Sequence, residues 1–277
     1  MNEENVTKDA QEELDESLQV ALSLRLLDDN LMTLVFDRNI EATELLLKII
    51  LQRDDLKVLE VVAHREYKNP VVGGRSITID IYATDNTGKV YNIEVQRADH
   101  GADVHRARFH SSMIDTRMLK QKQDFKEIND SYVIFITEND VRGAGLPLYH
   151  AERVIKETGE MFGDGSHIIY VNGSYKNDEE PIGKLMHDFR CSSSVDMFYP
   201  LLANQMKYFK ETEGGREKLC KAVEELAEKR AAEAVAEVKA EVKAGAKTML
   251  KDGISVLKVV EYTKLPLDVV MELQASL

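Results

Sequence analysis

Residues 76–96, SITIDIYATDNTGKVYNIEVQ, leave this chain few folds to choose from. Two runs of β-formers flank the turn sequence Asn86-Thr87-Gly88, so the stretch predicts an antiparallel hairpin. Strand alternation places Ile77, Ile79 and Ile81 on one face and Thr78, Asp80 and Tyr82 on the other. In the second strand, Ile93 and Val95 oppose Asn92, Glu94 and Gln96. Directly opposed side chains on a common face lie roughly 4.5–5.5 Å apart, so one carboxylate from each strand can converge on one point. Like charges that close repel unless a proton or a cation lies between them. The acidic face is therefore either an ordinary half-solvated surface or a hard-cation site on an uncovered side of the sheet. Two carboxylates, a backbone carbonyl and waters suit Mg²⁺.

The flanking segments give the hairpin a setting. "NIEATELLLKIIL" predicts a helix capped by Asn39, and "KVLEVVAHREYKNP" a strand ending near Pro70. "ADVHRARFHSSMIDTRMLKQ" predicts a helix, while "SYVIFIT" and "HIIYVNG" are short apolar runs typical of buried strands. Helix, strands, helix, strand and strand make a mixed α/β core over residues 31–205, preceded by an acidic, partly helical segment, 1–30. Residues 206–252 are dense in Ala, Glu and Lys and predict a long exposed helix. Residues 253–277 predict a cap of two short helices with Ser255 and Asp268 at their starts. That cap mimics a helix-turn-helix, but residues 268–277 offer no basic side chain and only Gln274 to read a base edge, which favours helix packing or association with protein.

Charge narrows the partners. The 277-residue chain carries a net −13, at face value against nucleic acid. The acidity is concentrated: residues 1–30 hold nine acids against Lys8 and Arg25. Residues 97–126 instead hold seven basic side chains against four acids, directly after the hairpin. The longest apolar runs fall far short of a membrane span, and the N-terminus lacks the basic start and apolar run of a secretory signal. Cys191 and Cys220, the two cysteines, show no metal-ligand spacing and suit a reducing cytoplasm.

Asp80 followed by Glu94-Val95-Gln96 resembles the signature of the PD-(D/E)XK nuclease superfamily, an aspartate on one strand and Glu-x-Lys on the next. With "RARFHSSMID", "SYVIFITENDVRGAGLPLYHAERVIKETGEMFGDGSHIIYVNG" and "KLMHDF", the chain from about Leu31 to Glu225 is similar to the Rpn-type recombination-promoting nucleases, also described as PD-(D/E)XK nuclease family transposases. The resemblance implies a restriction-endonuclease-like α/β fold, a mixed central sheet flanked by helices, followed by the long helix and the small helical cap. It implies an endonuclease that hydrolyses DNA phosphodiester bonds with low sequence specificity, in recombination or transposition. Asp80 and Glu94 would bind Mg²⁺ (or Mn²⁺), with the Val95 carbonyl as third ligand, and Glu41 (or Glu44) would be the acid on the first core helix. Gln96 stands where the superfamily has lysine; an amide can orient a water but carries no charge.

Arg106, His110 and Arg117 share one helical stripe, and Arg106 is the best placed of them for a phosphate. The other reading of the whole is a catalytically silent remnant of the same fold that binds DNA or protein. A third is a scaffold organised by the 206–250 helix, with homo-oligomerisation through the C-terminal helices.

Overall fold

The structure is a computed structural model and describes residues 18–97 and 99–277. The chain divides into two compact units, Met1–Cys220 and Lys221–Leu277.

The first unit is built on a six-stranded sheet of order β1-β2-β3-β4-β6-β5. Its strands are β1 (Val58–Tyr67), β2 (Ile77–Asp85), β3 (Val90–Gln96), β4 (Ser131–Thr137), β5 (Leu148–Ala151) and β6 (Ser166–Asn172). β1, β2 and β3 form an antiparallel meander, β3, β4 and β6 run parallel, and β5 closes the far edge antiparallel to β6. The parallel strands are covered on both faces, which is why "SYVIFIT" reads as an unbroken apolar run. One face packs on helices α1 (Asp29–Phe36), α2 (Ile40–Leu51), α4 (Pro181–Arg190) and α5 (Pro200–Glu211) through Phe36, Leu46, Ile93, Ile134, Phe189 and Met206. The other face is crossed by α3 (Val104–Met118), whose Ala107, Met113 and Ile114 meet Val133 and Phe135.

Local chemistry explains the ends of these elements. Asn39 caps α2 by accepting from the Ala42 amide at 3.1 Å. In the β2–β3 turn, Asp85 accepts from the amides of Thr87 (2.8 Å) and Lys89 (3.0 Å), and Gly88 takes the left-handed conformation the turn needs. Burial alone would raise the Asp85 pKa; bonds from Thr87, Tyr91 and Lys89 overcome that and hold it below the ordinary value.

The C-terminal helix begins differently from the single run expected over 206–252. The chain breaks at Thr212, which ends α5 and whose hydroxyl then accepts from the Gly215 amide at 3.1 Å to start α6 (Glu213–Lys251). A side chain at Gly215 would collide with the Tyr208 carbonyl, so the two helices approach too closely there for any Cβ. Leu202, Met206, Phe209 and Leu219 are buried in the core of the first unit, which therefore includes α5 and the start of α6.

In the second unit, Gly253 in the left-handed conformation turns α6 into α7 (Val256–Thr263) and α8 (Leu267–Ala275). Ala246, Leu250, Val259 and Val270 form its core. Ser255 occupies the N-cap position of α7, whereas Pro266 precedes α8 and places Asp268 inside its first turn. Of the acidic segment 1–30, residues 1–17 lie outside the described ones, while Ala21, Leu26 and Leu27 belong to the main core. No helix among the described residues is long and apolar enough to cross a membrane.

Candidate active site

The β2–β3 ladder pairs from Thr84–Val90 to Ile81–Ile93 and then stops. Beyond that point each strand's side chain bonds the other strand's backbone. The Asp80 amide donates to Glu94 Oε1 at 3.4 Å, and the Val95 amide donates to Asp80 Oδ2 at 3.1 Å. The two strands splay, and the carboxylates fill the gap.

β1 is irregular beside this opening. His64 is left-handed, with φ of +50°, at the position where the pairing skips from Ala63–Ile81 to Arg65–Ile79. A non-glycine residue rarely takes that conformation. The simple alternation expected for β2 fails across the same point: Ile81 packs with Ile93 on one side of the sheet, but Ile77 and Ile79 join Tyr82 on the α3 side. The acidic face also differs from an open polar surface. Glu94 lies under α3, bonded to its Arg106, and is 0% exposed.

Burial obliges Glu94 to be compensated. Arg106 Nη2 donates to Glu94 Oε2 at 2.7 Å, its Nη1 donates to the Gly101 carbonyl at 3.0 Å, and its Nε donates to His110 Nε2 at 3.4 Å. That leaves His110 Nδ1 facing Glu94 Oε1 at 3.4 Å and the Asn92 amide at 2.9 Å. Among the described residues no cation pairs with Asp80 in this way. Its carboxyl is held well above the usual range, first by desolvation and then by the charges of Glu94 and Asp29, against the weaker effects of the Val95 amide and Arg106.

Asp29, at the start of α1, is a residue that reasoning from sequence missed. Its Oδ1 lies 3.5 Å from His64 Nε2, and its charge is felt at Asp80. The available signal was an acid in the first turn of an apolar helix, but it sat inside a stretch that read as an acidic tail. Glu41 is elsewhere: exposed in the first turn of α2, it lines a separate recess of about 570 Å³ with Asp37, Arg38, Gln205 and Lys218. Glu44 is occupied by Lys48 (2.8 Å), Lys57 (3.2 Å) and the Val58 amide (3.1 Å), pinning α2 to β1.

Gln96 follows at the end of β3, half-buried, with Oε1 in the space that a Cβ on Gly101 would take. Beside it, Arg25, Asp28, Arg97 and Glu138 form an ion network, with Arg97–Asp28 at 2.6 Å and Arg25–Glu138 at 2.8 Å. The structure thus brings Asp80, Glu94, Val95, Gln96 and Arg106 together and leaves Glu41 apart.

Among the described residues no group of three His, Cys, Asp or Glu side chains is close enough to hold a metal ion. Asp80 and Glu94 nevertheless form a pair of adjacent carboxylates of which one has no paired cation among the described residues, with the Val95 peptide fixed beside them. That chemistry fits a hard cation that takes few protein ligands and keeps its waters. It does not fit a closed cage.

A family model described as PD-(D/E)XK nuclease family transposase matches residues 36–180, just over half of the chain. No curated protein and no solved structure matches it.

Proposed function

Because this chain belongs to the PD-(D/E)XK nuclease family, whose members are generally nucleases that use divalent metals, we propose that it is a Mg²⁺-dependent DNA endonuclease of low sequence specificity, acting in recombination or transposition. One observation carries this reading: Asp80 and Glu94 oppose each other where the β2–β3 ladder opens, and among the described residues no cation pairs with Asp80.

Asp80 and Glu94 would hold Mg²⁺, or Mn²⁺ in its place, beside the Val95 peptide. A divalent ion there supplies an acidified water and neutralises phosphate charge. Gln96, an amide, would orient that water by hydrogen bonding without adding charge. Arg106, partly exposed beside Glu94, would meet a phosphate oxygen; its planar fork suits that contact. Asp29 supplies the further acid on the helical side of the site. The cytoplasm is the proposed compartment. There the Cys191 thiol, pushed up to about 11 by burial, stays protonated and inert. Exposed Leu257, Tyr262 and Met271 support homo-oligomerisation through the terminal helices.

The test is a plasmid-nicking assay with Mg²⁺ or Mn²⁺, run beside Asp80→Ala and Glu94→Ala. Cutting by wild type and loss in both variants is the expected result; equal cutting in all three rejects the site. Two observations favour the second reading, a silent remnant that binds DNA: the amide at Gln96 and the occupation of Glu94 by Arg106. DNA binding without cutting in any divalent ion would support it.

A further inference from the structure

Residues 68–76, which join β1 to β2, extend past the end of the sheet that carries Asp80. β2 runs antiparallel to β3 with Ile81 opposite Ile93, so the residues before Ile81 lie on the Glu94 side of that pair and the connection lies beyond them.

The connection is built, not slack. Asn69 organises it from inside: its amide donates to Ser76 Oγ at 3.1 Å, its Nδ2 donates to the Arg75 carbonyl at 3.1 Å, and its Oδ1 accepts from the Val71 amide at 2.9 Å. The Gly74 amide closes the turn on the Val71 carbonyl at 2.9 Å, and a Cβ at Gly74 would run into the Asn69 side chain. Arg117, in the last turn of α3, donates to the Lys68 carbonyl and ties the tip to that helix.

This ordered tip presents Val71 and Val72 to water, 68% and 101% exposed. Two adjacent valines held outward by a fixed backbone are a surface prepared for contact. Their flanks decide with what. Lys68 and Arg75 are exposed beside them, and Arg75, like Arg108, Lys120 and Lys122 on and after α3, makes no ion pair among the described residues. From Arg106 at the carboxylates to Arg117 at the tip, α3 covers roughly 16 Å at 1.5 Å per residue, about five nucleotide steps along a DNA strand. A polyanion with apolar walls, lying along α3, would meet both features at once.

We propose that the tip of the β1–β2 hairpin is a duplex-DNA contact, in which Val71 and Val72 press into the minor groove while Lys68 and Arg75 take flanking phosphates. This rests on the nuclease reading above. An apolar wedge reads groove shape and base-step softness instead of base identity, in keeping with low sequence specificity.

The test is fluorescence anisotropy of a short labelled duplex, in Ca²⁺, over a salt series, with full-length wild type, V71S/V72S and K68A/R75A. V71S/V72S is expected to bind about tenfold more weakly at every salt concentration, with an unchanged slope of log affinity against log salt. K68A/R75A is expected to lower that slope by about two, near one per lost phosphate contact. Both pairs are solvent-exposed, so both variants should melt with wild type. Wild-type affinity in V71S/V72S overturns the tip proposal alone, and so does a loss seen only through the salt slope. Failure of wild type to bind duplex overturns the nuclease reading with it.

Discussion

Asp80 and Glu94 each satisfy the backbone of the other's strand. Glu94 Oε1 accepts from the Asp80 amide, and Asp80 Oδ2 accepts from the Val95 amide one residue past Glu94. The arrangement holds two carboxylates together although Arg106 neutralises only one of them. Its electrostatic strain can be measured without any substrate.

Asp80→Asn should stabilise the metal-free protein on the alkaline side of the raised Asp80 pKa. A carboxyl whose folded pKa is raised stabilises fully below its unfolded value, and that contribution is lost as pH rises through the folded value. Above the raised folded value the wild type has lost it, so the amide should there raise the Tm by about 2–4 °C, a gain that disappears in acid. Added Ca²⁺ should stabilise wild type more than Asp80→Asn. Thermal melts from pH 4 to 8 check both; equal calcium stabilisation would remove Asp80 from the cation site.

Arg106→Met should destabilise by about 2 kcal/mol, because it strands the fully buried Glu94. The partial exposure of Arg106 keeps the loss below that of a completely buried pair. Adding Glu94→Gln should recover most of it. Urea denaturation of the four proteins in the cycle gives the coupling, and additive losses would show that the 2.7 Å contact carries little energy.

Gly101→Ala should lower cleavage about tenfold with little change in Tm. The new methyl displaces only the end of the Gln96 side chain, which is flexible, so the structure survives while the water-orienting amide moves. Nicking rates and melts on one preparation separate the two effects. Unchanged nicking would take Gln96 out of the mechanism.

Lys210→Met should cost about 2 kcal/mol. Buried Lys210 donates to the carbonyls of Leu22 (2.8 Å), Leu24 (2.5 Å) and Ser192 (2.5 Å), which would lose their donor. Desolvation lowers its pKa to about 8, against the pull of Asp28. In the window between pH 8 and the ordinary lysine value, the unfolded chain holds the extra proton, so stability should rise with pH across it. Denaturation in that window should show the rise in wild type and not in Lys210→Met.

The features legible in the sequence are those fixed by neighbours along the chain. The Asn86-Thr87-Gly88 turn, the Asn39 cap and the β4 and β6 strands depend on local bonding or on one apolar run. The broken alternation at Asp80 was hidden because the left-handed His64 beside it lies on another strand and carries no glycine to announce it. Asp29 was hidden for the same reason: its proximity to Asp80 depends on how α1 docks, which no spacing encodes. Edge strand β5, only Leu148–Ala151, is too short for periodicity to reveal. The covering of Glu94 by α3 followed from neither strand alone; it required a helix that presents Arg106 and His110 inward.

The Lys210 ammonium also sets a schedule for synthesis. The carbonyl of Leu22 leaves the ribosome early, yet the group that seals it lies 188 residues later. A nascent chain halted anywhere before α5 keeps those carbonyls open to water and the pocket for Met206 and Phe209 unfilled. The core of the first unit is complete only after translation has passed the sheet and α5 has brought Lys210 back to the Leu22 carbonyl.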